Sequence, residues 1–149
     1  MFSKHTIELG YKREEVNKMD FKNVLTPRGF LSVGGVVLVL VAVLGYVGVI
    51  GPTPDMSLFG SFWYFDNAEN VAHLVLGVVA LLAVNFVKDA GVHKLLALLV
   101  GALALVVALM NFMGEVNILG AMLQNPADML LHLLVGAWGL YAGLVGAKK

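Results

Sequence analysis

The sequence predicts an all-α integral membrane protein, a four-transmembrane-helix bundle built from two parallel helical-hairpin repeats. Three observations carry this reading. Of 149 residues, 59% are hydrophobic and 13% charged, and the mean hydropathy is +0.85. A soluble domain carries about 25% charged residues, so a soluble fold is close to excluded. Four apolar stretches each reach the roughly 20 residues a helix needs to cross a hydrocarbon core about 30 Å thick. Finally, an acid-x-x-x-His-Leu-x-x-Gly pattern occurs twice, with His73 and His132 at an offset of 59.

Residues 1–28 form a basic segment ahead of the first span, expected on the cytoplasmic side. It is a poor signal peptide, because its charged region is long and the following apolar stretch is long enough to span. Glu14–Leu25 carries a ragged apolar stripe (Val16, Met19, Leu25) and reads as a solvated or headgroup-associated tail. Thr26–Gly29 is the turn into the membrane domain, 29–149, with Pro27 suited to a helix start.

The first span runs uncharged from Gly29 to Pro54, with its core at Phe30–Ile50. The second covers Ala68–Val87, the third Leu95–Met113 and the fourth Ala127–Ala147. Val-rich runs such as Val36–Val41 would suggest strand in water. In lipid only helices or closed barrels satisfy the backbone, and barrel-type alternation is missing here.

Formal net charge is zero, which argues against a nucleic-acid partner. With four spans the charges separate. All ten Lys and Arg fall on one side, with Glu8, Glu14, Glu15, Asp20 and Asp89. The other side carries only acids: Asp55, Asp66, Glu69, Glu115 and Asp128. The positive-inside rule then places both termini in the cytoplasm of a multi-pass protein of the inner (plasma) membrane. His93, beside Lys94 in the short connection, is expected to be solvated. Between the first two spans, Phe59–Phe65 reads as an aromatic interfacial belt, with Met113–Gln124 as its short interfacial counterpart.

The repeat carries the chemistry. Glu69-x-x-x-His73-Leu-x-x-Gly77 in the second span matches Asp128-x-x-x-His132-Leu-x-x-Gly136 in the fourth. Positions i and i+4 share a helix face, so each acid sits one turn from its histidine. Both histidines fall at matching depth, and a pseudo-two-fold axis along the membrane normal would bring them together. Asn67, Asn70, Asn111, Glu115, Asn117, Gln124 and Asn125 add polar groups at that end.

Four readings of Glu69, His73, Asp128 and His132 stay open. Each histidine bonds its own acid or a partner helix and fastens the bundle. The four side chains form a divalent metal site. His73 and His132 are the axial ligands of a haem b, although that side has no Lys or Arg for the propionates. Or the cluster belongs to a cation or proton path, of which one layer is visible. Methionines on the acidic side also bring copper to mind. With no cysteine, disulfides, thiolate metal sites and a Cys nucleophile are excluded. P-loop, nucleophile-elbow, zincin and dinucleotide motifs are missing as well.

The expectation is a non-enzymatic membrane protein with a His/carboxylate cluster in the outer leaflet. A metal- or haem-binding protein of ion transport or electron transfer is the alternative. The partner is the bilayer, with a homo-oligomer or larger membrane complex left open. The repeated motif, at Asn67–Gly77 and Asn125–Gly136, resembles an uncharacterised family of bacterial four-helix membrane proteins, a domain of unknown function. The resemblance covers Gly29–Gly146 and implies the four-helix fold. It implies no activity, cofactor or catalytic residue, and leaves the basic N-terminal segment unexplained.

Overall fold

In the computed structural model, which describes residues 21–146, four helices are long and apolar enough to cross a membrane. They are α1 (Pro27–Tyr46), α2 (Asn67–Phe86), α3 (Ala90–Phe112) and α4 (Ala127–Leu144). A single helical turn, Phe21–Val24, precedes α1. Residues 14–20 of the expected Glu14–Leu25 tail lie outside the described residues, as does Ala147 at the end of the expected fourth span.

Local chemistry sets the boundaries. The Thr26 hydroxyl accepts a hydrogen bond from the Gly29 N–H at 3.1 Å, with Pro27 in the first turn. The helix therefore starts inside the 1–28 segment rather than after it. It stops at Tyr46, short of the expected Ile50, where Gly48 adopts φ +81°. Ile50 instead bridges Ser57 in the connecting segment and is buried.

α3 starts five residues before the expected Leu95. Asp89 caps it, its carboxylate accepting from the Val92 N–H at 3.0 Å. His93 and Lys94 thus belong to the helix. The expectation of a solvated His93 is wrong. The ring is 5% exposed, and its Nε2 lies 3.2 Å from the Ala83 carbonyl of α2. The connection between α3 and α4 contains a small hairpin, β1 (Asn117–Ile118) antiparallel to β2 (Ala121–Met122). Leu119 and Gly120 turn it, both at positive φ, 56° and 91°.

α2 packs along α1 and α4 along α3, and the two hairpins join chiefly through α1 and α3. α2 and α4 make little direct helix contact. Within each hairpin the approach is close at the repeated glycine. A Cβ on Gly77 would sit 2.8 Å from the Gly35 carbonyl oxygen. A Cβ on Gly136 would sit 3.0 Å from that of Gly101. Small residues let backbones meet and gain dispersion contacts, the main attraction left between helices in an apolar solvent.

The core lies toward the end where α1 begins and α4 stops. Phe30 and Leu31 of α1 meet Ala80 and Val84 of α2, Ala97 of α3 and Ala142 of α4. Trp138 stacks edge-on against Phe30 at 4.8 Å and donates its indole N–H to the Val24 carbonyl at 3.0 Å. At the same end, an Arg28 guanidinium N–H reaches the Val84 carbonyl at 3.3 Å. Polar groups of that end are therefore spent on backbone carbonyls, and the His/acid motifs stand at the opposite, loop-bearing end.

Candidate functional site

α2 opens with a capping box. The Asp66 carboxylate accepts from the Glu69 N–H at 2.9 Å, and the Glu69 carboxylate accepts from the Asp66 N–H at 3.0 Å. α4 opens after Pro126, which has no capping side chain. Asp128 reaches back instead and accepts from the Gln124 N–H at 2.5 Å. Both acids of the repeated motif thus hold the first turn of their own helix, where the macrodipole also favours negative charge. Both are almost fully buried, Glu69 at 2% and Asp128 at 1% exposure.

The same two helix starts are tied to each other's connecting segments. The Trp63 indole N–H, from the segment before α2, donates to Asp128 Oδ1 at 2.9 Å. The Met122 N–H, from the segment before α4, donates to Asp66 Oδ2 at 2.7 Å. Between them, the Tyr64 N–H donates to Gln124 Oε1 at 3.2 Å, and the Gln124 amide donates to the Met122 carbonyl. Each segment therefore binds the acid that caps the other hairpin's second helix.

The histidines do something else. His73 Nδ1 lies 2.7 Å from the Glu69 carbonyl oxygen, and His132 Nδ1 lies 2.7 Å from that of Asp128. Both bonds are to the backbone one turn back on the same helix. The expected bond from each ring to its own carboxylate or to a partner helix is not what forms. A carbonyl only accepts, so each Nδ1 carries the hydrogen. In a neutral ring that leaves Nε2 as the lone-pair nitrogen, and it has no hydrogen-bond partner among the described residues. The two rings stand 6.3 Å apart, centre to centre, at an interplanar angle of 55°.

The structure places Glu69, His73, Asp128 and His132 at one end of the bundle, but it does not assemble them as one ligand set. The carboxylates are committed to backbone and indole N–H groups. Among the described residues no group of three or more His, Asp or Glu side chains is arranged to hold a metal ion. The four-ligand metal site is therefore not supported. Two deeply buried amides lie nearby in the same layer. Asn70 donates to the Phe65 carbonyl at 3.3 Å and lies against Gly45 of α1. The Asn111 backbone carbonyl accepts from the Asn125 amide at 3.2 Å.

Sequence reasoning does not single out Trp63 and Asp66 as members of this network, and it offers Gln124 only as one of several polar groups at that end, without its partners. For Asp66 the signal was present, since Asp-x-x-Glu ahead of an apolar run is capping-box spacing. For Trp63 and Gln124 none was, because their partners are 65 and 60 residues away. The aromatic segment is also only partly an exposed belt. Phe62 is exposed, but Phe65 is buried and sits edge-on to His73 at 5.0 Å. Rings run in contact from Phe59 through Trp63 and Phe65 to His73 and His132.

Comparison with family models, curated proteins and solved structures gives no match to this chain.

Proposed function

We propose that this chain is a small, non-enzymatic multi-pass protein of the inner (plasma) membrane, with both termini cytoplasmic, whose helix-start aspartates, Asp66 and Asp128, clamp two duplicated hairpins together on the outer face. The observation that carries the clamp is the reciprocal exchange at the helix starts, Trp63 to Asp128 and Met122 to Asp66. Hydrogen bonds to charged groups contribute about 1.5–3 kcal/mol each, and leaving a buried partner unpaired costs a similar amount. These two bonds add to the packing of α1 on α3, at the end where α2 and α4 do not themselves pack.

Insertion is supported by the exposed faces. Val36, Leu40, Val75, Leu99, Leu103 and Leu134 are each more than half exposed, while Gly and Ala supply much of the buried helix surface, among them Gly35, Ala42, Gly77, Ala97, Gly101 and Gly136. A surface of this kind is stable in hydrocarbon and aggregates in water. Duplication is supported by the matched details of the two hairpins. Each histidine bonds the carbonyl four residues back, and each glycine four residues on meets a glycine of the preceding helix.

The chain has no native cysteine, so single substitutions report topology cleanly. Leu119 is fully exposed at the tip of its turn, and Lys88 is exposed in the α2–α3 connection. In intact cells a membrane-impermeant maleimide should label Leu119→Cys and reach Lys88→Cys only after permeabilisation. The reverse pattern would overturn the orientation, and labelling of both in intact cells would overturn insertion.

A further inference from the structure

We propose that His73 and His132 form a two-imidazole site for one late first-row transition-metal ion, held between the two hairpins through their Nε2 atoms. The rings belong to different hairpins yet stand 6.3 Å apart, centre to centre. Each is oriented by the same contact, Nδ1 on a backbone carbonyl at 2.7 Å. That is the outer contact metal-ligating histidines use to fix tautomer and ring direction. It leaves Nε2 as the coordinating nitrogen on both rings, with no protein hydrogen bond competing for it.

The spacing suits a shared ion. Two metal–nitrogen bonds of about 2 Å in line, plus about 1 Å from each Nε2 to its ring centre, span about 6 Å, so the two rings would stand trans across the ion. The donor set selects the class. Neutral imidazoles suit copper, zinc and nickel, whereas magnesium and calcium need oxygen ligands, and the nearby carboxylates are turned into the helix caps. A haem fits less well. Phe65 stands 5.0 Å from His73, and among the described residues the segments at this end of the bundle carry no Lys or Arg for the propionates.

The clamp and this site use different groups, so they fail separately: the carboxylates and Trp63 test one, the ring nitrogens the other. The experiment uses the full chain purified in detergent, stripped with chelator and titrated with Cu(II). The expected result is one tight equivalent whose electron paramagnetic resonance spectrum shows hyperfine splitting from two equivalent nitrogens. Asparagine can keep a donor where Nδ1 stands while removing Nε2. His73→Asn and His132→Asn should therefore each weaken binding by at least about tenfold, with unfolding unchanged. A paired His5→Asn and His93→Asn variant should bind as the unaltered chain does. No tight equivalent, a nitrogen count other than two, or binding that follows His5 and His93 would each overturn the proposal. The nitrogen count is read on the unaltered chain, so it decides even if a variant fails to fold. A Soret band reconstituted with haem and lost in either Asn variant would overturn the assignment of a free ion.

Discussion

In the first hairpin, the helix that carries His73 starts at a full capping box, with Asp66 and Glu69 each holding the other's backbone N–H. In the second, the helix that carries His132 starts at Pro126, and Asp128 alone reaches back to Gln124. Asp128 is in turn held from outside, by the indole N–H that Trp63 of the first hairpin's connecting segment donates to its other oxygen. Glu69 receives no such contact, and its Oε1 remains without a partner. One repeated acid therefore does the same local job twice, with different surroundings. The first helix start is complete in itself and offers its spare Asp66 oxygen to Met122. The second is held in part by its neighbour.

The glycines differ in the same spirit and give the largest expected effect. A Cβ on Gly77 meets backbone, the Gly35 oxygen at 2.8 Å and the Val39 nitrogen at 2.9 Å. A Cβ on Gly136 meets the Leu105 side chain first, at 2.6 Å, and that side chain can turn away. Gly77→Ala should thus cost up to about 3 kcal/mol and Gly136→Ala clearly less, measured by unfolding in detergent. Equal costs would mean that the first hairpin can part as easily as the second.

Asp66→Ala comes next. It removes the α2 cap and the anchor of Met122 together, and should cost about 2 kcal/mol. Hydrogen exchange should show both the α2 start and the 117–122 hairpin opening faster. Opening confined to α2 would show that Asp66 does not hold the second hairpin. Trp63→Phe keeps the ring stack and deletes the bond to Asp128, at about 1.5 kcal/mol. Its faster exchange should appear at the start of α4, in the other hairpin. Loss of protection only around residue 63 would make the cross-hairpin bond inconsequential. Leu119→Gly is the smallest and runs the other way. Leu119 holds φ 56° with its side chain fully exposed, so glycine there should stabilise the chain by about 0.5 kcal/mol.

Much of this was legible in the sequence. The four helices follow from apolar length, and the charge segregation gives an orientation that labelling can check. The acid, the histidine and the glycine fall on one helix face because i, i+4 and i+8 must. His93 was misread because Lys88, Asp89 and Lys94 look like a charged loop. Asp89 is in fact a helix cap, and three residues further on the chain is already helical. The cluster itself was half legible. Composition and spacing bring two imidazoles and two carboxylates to one end. Spacing does not say which atom bonds which. The carboxylates went to backbone N–H groups three and four residues upstream, and the imidazoles to carbonyls, because each helix start offers unsatisfied donors to an acid close by. The bonds from Trp63 and Met122 depend on how two hairpins dock, which no local pattern encodes.

In the metal-free chain the helix-start aspartates Asp66 and Asp128, rather than the histidines, carry the hydrogen bonds between the two hairpins. A double-mutant cycle on Trp63→Phe and Asp128→Ala, read by reversible unfolding in detergent, tests it most directly. The account predicts a coupling of about 1 kcal/mol between these two residues of different hairpins. Costs that add to within about 0.3 kcal/mol would contradict it.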